Sequence, residues 1–122
     1  MARRAYQGKD EEGIYTGKLP GTLGFLVVGL VADYDRREAE IRRGRLPGKV
    51  LRRYLEVNRI VDEALDAVFR GEINDAKTAM RHDIGERNGY IYCESKRWMS
   101  EGMFFRRKRW CKREIAERMG WL

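Results

Sequence analysis

The sequence predicts an all-α protein: a small helical bundle followed by a C-terminal helix-turn-helix. Apolar residues recur at helical spacing through residues 50–68, and no alternation of apolar and polar residues follows that stripe. The chain contains only two prolines, which leaves room for long uninterrupted helices. Its 122 residues suit one small domain, or a short helical domain with a terminal module.

The first part of the chain divides into a polar arm and one long helix. Residues 1–21 are polar and contain several glycines, which predicts a flexible N-terminal arm. The apolar run of residues 22–32 leads directly into the charged sequence DYDRREAEIRR. Its valines and glycines favour a strand, but no turn signal separates the two halves. We therefore predict one helix over 22–43, whose apolar run is too short to cross a bilayer.

The clearest helix follows the chain break GRLPG at residues 44–48. Apolar residues spaced three and four apart predict a core-facing helix over 49–70. The sequence GEIND, at residues 71–75, then ends this helix because glycine, asparagine and aspartate favour turns.

A third helix is predicted over 74–87, completing the helical domain of residues 22–88. Asn74 or Asp75 is placed to cap its N-terminus, because their side chains accept hydrogen bonds from free backbone N–H groups. The dipeptide Asn88–Gly89 predicts its end, since both residues tolerate positive φ.

The last helix has three agreeing signals at its start. Ser100 is a good N-cap, and Glu101 follows it at the positive end of the helix dipole. Met99 and Phe104 have the spacing of a hydrophobic staple. Gly120 predicts the C-terminal stop. One face of the helix is apolar and is predicted to face the core through Phe104, Cys111, Ile115 and Met119.

The net charge of +7 is concentrated in this last part of the chain. Residues 1–95 are nearly balanced at net +1, whereas residues 96–122 carry net +6. Repulsion between like charges on one helix costs stability unless an anion offsets it, and phosphates do so with release of counterions. The outward face and its margins are basic through Arg106, Arg107, Arg109, Lys112 and Arg113.

A basic outward face at this position predicts double-stranded DNA as the partner. The start of a recognition helix reaches base edges, while its flanks hold the phosphate backbone. The candidate base-reading residues are Glu101, Gly102, Phe105, Arg106 and Arg109. The candidate phosphate contacts are Lys96, Arg97, Lys112 and Arg113, and the wider DNA-binding set includes Ser100 and Arg107.

The order of a helix stop, the short segment YIYCESKRWM and a capped basic helix resembles sigma-factor region 4. It is more closely similar to the ArpU/RinA-type late transcription regulators of phages of Gram-positive bacteria. The resemblance covers about residues 83–122, is faint over 49–82, and implies a DNA-binding helix-turn-helix at residues 89–122. It also implies a regulator of phage late genes that works in the bacterial cytoplasm, with RNA polymerase and a second copy of the chain as further candidate partners. The matching residues are Asp83, Ile84, Gly89, Tyr90, Ser100, Met103, Phe104, Phe105, Arg106, Arg107, Lys108, Ile115, Ala116, Met119 and Gly120.

The sequence gives no sign of enzyme chemistry, and we expect no cofactor and no metal. His82 is the only histidine, and Cys93 and Cys111 lack metal-ligand spacing. Two cysteines without a leader sequence fit a reducing cytoplasm. The carboxylates of Asp83 and Glu86 are interpreted as charges on a helix surface.

Three other interpretations stay open at this point. The basic helix is solvated and binds nothing, or the chain is a small terminase-like component that recognises DNA during packaging. As a third possibility, the chain is a helical adaptor that binds an acidic partner protein through the same basic residues.

Overall fold

The computed structural model describes residues 19–122 and is all-α over that range, as the sequence predicts. Residues 1–18 of the predicted N-terminal arm lie outside the described residues. Two 3-10 turns, Tyr90–Tyr92 and Ser95–Arg97, precede the last helix, and no strand occurs within residues 19–122. The five α-helices of the described range are α1 (Gly21–Ala32), α2 (Tyr34–Arg43), α3 (Gly48–Phe69), α4 (Asn74–Glu86) and α5 (Glu101–Arg118).

The prediction of one helix over 22–43 is wrong, because α1 ends and α2 begins on either side of Asp33. The apolar α1 packs mainly against α4, whereas the charged α2 packs against α3. The buried guanidinium of Arg37 stabilises the junction by donating to the Leu30 carbonyl at 2.5 Å and to Asn58 Oδ1 at 2.6 Å. The break therefore follows from packing on two different partners, which no local turn residue signals.

Helix α3 confirms the helix predicted over 49–70 from the apolar stripe, and the two ranges differ by one residue at each end. Its second half carries the buried part of the stripe, at Val61, Leu65 and Val68, whereas Val50 in its first turn is only half-buried. The helix ends at Arg70, whose φ of 43° is left-handed. The C-terminal half of α3 is thus the part that lies in the core.

Helix α4 begins and ends differently from the prediction in its details. Its N-cap is Ile73, which makes no side-chain cap, and Asn74 and Asp75 lie inside the first turn. Its end is set by Arg87 at φ 59°, and not by Asn88–Gly89. An arginine in the left-handed region is uncommon. Two backbone hydrogen bonds accompany this conformation, from the Arg87 N–H to the Ile84 carbonyl at 3.2 Å and from the Asn88 N–H to the Asp83 carbonyl at 3.0 Å.

A single core joins α1, α3, α4 and α5. Helix α1 meets α4 closely at Gly85, where an added Cβ would lie 3.0 Å from the Ala32 Cα. Larger residues fill the centre of the core. Those with at most 1% of their surface exposed to solvent are Val27, Val61, Phe69, Met80, Ile84, Phe104, Cys111 and Ile115. The division at residue 88 stays a prediction, but α5 shares this core with the preceding helices.

Candidate nucleic-acid interface

Helix α5 starts where the sequence predicts. Ser100 is its N-cap, and the Ser100 Oγ accepts a hydrogen bond from the Met103 N–H at 3.3 Å. Phe104 is fully buried and Met99 is partly buried against the same core, as a hydrophobic staple requires. The direction in which α5 leaves Ser100 is therefore fixed by a cap and by packing.

The end of α5 is equally well defined. Gly120 has a φ of 78°, and its N–H donates to the Glu117 carbonyl at 3.0 Å. The Trp121 N–H donates to the Ala116 carbonyl at 2.9 Å, which completes a Schellman motif. The predicted stop at Gly120 is confirmed.

The inner face of α5 is part of the core. Phe104, Cys111 and Ile115 are fully buried, and Trp110 is only 8% exposed. Burial raises the pKa of the Cys111 thiol well above its ordinary value, which keeps the thiol protonated and unreactive. Within residues 19–122, no three histidine, cysteine, aspartate or glutamate side chains come together as metal ligands. No helix in this part of the chain combines the length and apolarity that crossing a bilayer requires.

The outward face of α5 begins with exposed residues. Glu101, Gly102 and Arg106 are exposed, and Phe105 is 39% exposed with its ring at the edge of Phe104. An added Cβ at Gly102 would meet nothing within 4 Å, so this part of the helix is open to a close approach. The candidate base-reading residues of the first two turns therefore lie on one accessible surface.

The arginines of α5 differ in their ionic partners. The Arg107 guanidinium forms an ion pair with Glu72 and lies 4.7 Å from the centre of the Phe69 ring. Arg113 forms an ion pair with Glu117 at 3.2 Å. By contrast, Arg106 has no carboxylate partner among residues 19–122. Arg107 thus holds α5 against the α3–α4 corner, while Arg106 has its charge available.

A groove of about 250 Å³ lies between α5 and the start of α1. Leu19 and Phe25 supply apolar walls, and Arg87, Arg109 and Lys112 supply cations. Burial lowers the pKa of Lys112 below its usual value, and the nearby charge of Arg87 lowers it further. This mutual repulsion is a local cost that an anion over the groove would relieve.

Lys108 is half-buried between the inner and outward faces of α5. Its Nζ donates to the Asn88 carbonyl at 2.8 Å and lies 5.3 Å from the centre of the Phe104 ring. Burial lowers the pKa of Lys108, with a further contribution from Lys112. Two half-buried lysines therefore add to the positive field beside the groove.

Lys96 and Arg97 lie just before α5, in the second 3-10 turn. The Lys96 Nζ donates to the Ile91 carbonyl at 2.6 Å, and the Arg97 guanidinium lies 5.5 Å from the centre of the Trp98 ring. Both side chains are exposed. Residues 89–122, predicted as a helix-turn-helix, contain two 3-10 turns and the single α-helix α5, so the first α-helix of a standard helix-turn-helix is absent from this range.

The buried carboxylate of Asp83 anchors this segment. It accepts hydrogen bonds from the Glu94 and Ser95 N–H groups, each at 2.9 Å, and from the Ser95 hydroxyl at 2.5 Å. The Asn88 side-chain amide donates to it at 2.9 Å. Asp83 is fully buried, so its interpretation as a helix-surface charge is wrong. Its spacing from Met80, three residues earlier on the buried stripe of α4, is the signal that sequence reasoning missed.

Comparison with protein-family models, with curated proteins and with solved structures finds no match for this chain. The geometry of α5 and its surroundings therefore carries the functional argument.

Proposed function

We propose that this protein binds double-stranded DNA through the outward face of α5 and regulates transcription at specific sites. One observation carries the proposal: between Glu101 and Glu114 the exposed side of α5 bears cations and no carboxylate. Arg106 within it has no carboxylate partner among residues 19–122. Phosphates are the partners that offset such a concentration of positive charge.

The start of α5 is the part that we assign to base contacts. Gly102 allows the backbone to approach a groove closely, and Arg106 is placed one turn further along the same exposed face. A guanidinium at this position binds the O6 and N7 atoms of guanine in a bidentate manner, and the Glu101 carboxylate accepts from a cytosine amino group. Phe105 supplies apolar contact with a thymine methyl.

The flanks of α5 are assigned to the phosphate backbone. Lys96 and Arg97 approach it from the turn before the helix, and Arg109 and Lys112 approach it from the groove beside α1. Arg107 and Arg113 already form ion pairs within the molecule, so we give them a smaller share of the binding. Ser100 acts indirectly by fixing where the helix begins.

The regulatory part of the proposal is supported by the resemblance to late phage regulators over residues 83–122. That resemblance also supports RNA polymerase and a second copy of the chain as further partners. Both belong to the proposal, as does a bacterial host cytoplasm as the place of action.

Fluorescence anisotropy with a labelled duplex over a salt series tests the proposal. With half a dozen cations reaching phosphates, we expect log K against log[salt] to slope on the order of −4 to −6 per protomer. Absence of binding at low salt would overturn the proposal and favour an acidic protein as the partner. Light scattering adds a second test, because a ring-sized oligomer would favour a packaging component over a transcription regulator.

A further inference from the structure

The corner between α2 and α3 forms a second basic surface, which the balanced charge of residues 1–95 conceals. No aspartate or glutamate occurs between Glu40 and Glu56, and every lysine and arginine in this interval is exposed. We call this surface the α2–α3 corner, and its cations are Arg42, Arg43, Arg45, Lys49, Arg52 and Arg53.

Most of these cations lack an ionic partner within the described residues. Arg43 forms an ion pair with Glu40 at 2.7 Å. The other five have no carboxylate partner anywhere in residues 19–122. The next arginine along α3 shows the contrast, because Arg59 pairs with Glu56 and with Glu63. Helix α3 does carry carboxylates from Glu56 onward, but residues 41–55 contain none, so these charges of the corner stay uncompensated.

The backbone holds the corner in a defined shape. Gly44 ends α2 with a left-handed φ of 71°, and Pro47 begins α3 with a φ of −57°. Glycine is the residue that adopts the first conformation without strain, and proline is preset for the second. The cations on either side of this turn are therefore displayed by two rigid helix ends.

The position of the cations on α3 has a cost. Lys49, Arg52 and Arg53 occupy the first two turns, where the helix dipole disfavours positive charge. The first turn of α3 contains no acidic residue, and Pro47 provides no side-chain cap. Repulsion among the cations adds to this cost. A polyanion lying across the corner offsets both terms.

The corner is separate from the α5 surface. Arg107 of α5 contacts Phe69 at the C-terminal end of α3, whereas Lys49 lies at the N-terminal end. At a rise of 1.5 Å per residue, these two ends of α3 are about 30 Å apart. This distance exceeds the Debye length of about 8–10 Å at ordinary salt concentrations. The two surfaces therefore act as independent electrostatic contacts.

We propose that the α2–α3 corner is a second DNA-binding surface, which contacts the phosphate backbone of the duplex that α5 binds. The proposal rests on the proposed DNA-binding function, and adds to it a contact that is independent of the recognition helix. The cations of the corner are exposed and residues 41–53 contain no aromatic residue, which suits phosphate contacts and not base readout.

Two triple variants with the same change in charge test the proposal. The corner variant is Lys49→Gln/Arg52→Gln/Arg53→Gln, and its control is Arg36→Gln/Arg59→Gln/Lys77→Gln, whose cations all pair with carboxylates. We expect the corner variant to lose at least about ten-fold in affinity at ~0.1 M salt and about two to three units of salt slope. The control is expected to lose less than about three-fold, through net charge alone. Equal losses in both variants would overturn the proposal.

Further measurements distinguish a failure of this proposal from a failure of the DNA-binding function on which it rests. If the full chain binds DNA and Arg106→Ala weakens it, but the corner variant behaves like its control, then only the second surface is refuted. If the full chain does not bind DNA, both proposals fall. Melting curves by circular dichroism establish that each variant folds, and we expect all of them to do so because the substituted side chains are exposed or half-exposed.

Photo-cross-linking gives a readout that does not depend on affinity. A cross-linker on Arg45→Cys is selective because the native Cys93 and Cys111 are buried. Thr78→Cys, exposed on α4 beside the Lys77–Asp66 ion pair, is the matched control. We expect the corner probe to form covalent adducts with a labelled duplex in at least about ten-fold higher yield than the control, since phosphates bind the uncompensated cations of the corner in preference to cations that carboxylates already neutralise. Equal yields from both positions would contradict contact at the corner.

Discussion

The surface on which α4 faces α2 and α3 and the outward face of α5 both carry cations, but they differ in how those cations are paired. On the first surface, Lys77 pairs with Asp66 at 2.7 Å and Arg81 pairs with Asp35 at 3.0 Å. On the second, Arg106 and Lys112 have no carboxylate partner among residues 19–122. Composition predicts the excess of positive charge on α5, but only the folded structure reveals which individual cations are neutralised.

The difference extends to the clefts beside the two surfaces. The cleft next to α4 is lined by polar groups that contact one another. The Tyr34 hydroxyl donates a hydrogen bond to Asp62 at 2.9 Å, and the Arg81 guanidinium lies 4.0 Å from the centre of the Tyr34 ring. The groove beside α5 instead brings Arg87 and Lys112 together. A satisfied network stabilises the fold, whereas a concentration of like charge is a cost that a partner relieves.

The largest expected effect concerns Asp83, the buried partner that positions the segment before α5. Asp83→Asn replaces an acceptor of two backbone N–H groups and a hydroxyl with an amide that can accept at one atom only. We expect the free energy of unfolding to fall by about 2–4 kcal/mol, as measured by urea denaturation.

Asp75→Asn is the control for that measurement, because Asp75 is exposed in the first turn of the same helix. Its effect is expected to stay within about 0.5 kcal/mol. If the two variants lose the same stability, the hydrogen bonds to Asp83 contribute nothing specific.

The next effect is on DNA affinity and tests the difference between paired and unpaired cations directly. Arg106→Ala is expected to weaken binding to the preferred duplex by about 1–3 kcal/mol, and a scrambled duplex by less. Lys77→Ala removes a cation whose charge Asp66 already neutralises, so its effect is expected to stay within about 0.5 kcal/mol. Competition anisotropy with the two duplexes measures both. Equal weakening on both duplexes by Arg106→Ala would make Arg106 a phosphate contact only.

Local sequence signals predicted the helices that local physics determines. The stripe of α3, the Ser100 cap and the Gly120 stop depend on residues within a few turns of one another, and all three are confirmed. The break at Asp33 and the burial of Asp83 depend on which helices pack together, and sequence patterns do not report this. The α2–α3 corner is visible in the sequence as a run without carboxylates over residues 41–55, and averaging charge over residues 1–95 conceals it. The lack of ionic partners for most of its cations within residues 19–122 is a property of the fold.

A smaller effect is expected at the start of α5. Ser100→Ala removes the side-chain acceptor of the Met103 N–H, and we expect a loss of about 0.5–1 kcal/mol in unfolding free energy, because water replaces part of the bond at this exposed site. Ser100→Asp retains an acceptor and favours the helix dipole, so it is expected to preserve stability while weakening DNA binding. Unchanged DNA affinity in Ser100→Asp, at preserved stability, would mean that the start of α5 does not lie near the phosphates of the bound DNA.

The smallest expected effect has the opposite sign. Lys112→Met removes a half-buried cation beside Arg87, so we expect a gain in unfolding free energy of up to about 1 kcal/mol at neutral pH. The pKa of Lys112 is lower in the folded state than its usual value of 10.5, so the folded state binds fewer protons than the unfolded state between those two values. The penalty of the charged lysine is therefore fully present below the folded pKa and is relieved as pH rises toward 10.5. The gain from Lys112→Met should shrink over that range in urea denaturation curves, whereas Lys77→Met, which removes a paired cation, should lose stability at neutral pH. A loss of stability at neutral pH in both variants would show that Lys112 is compensated within the fold, and the distinction between paired and unpaired cations would then fail at the groove.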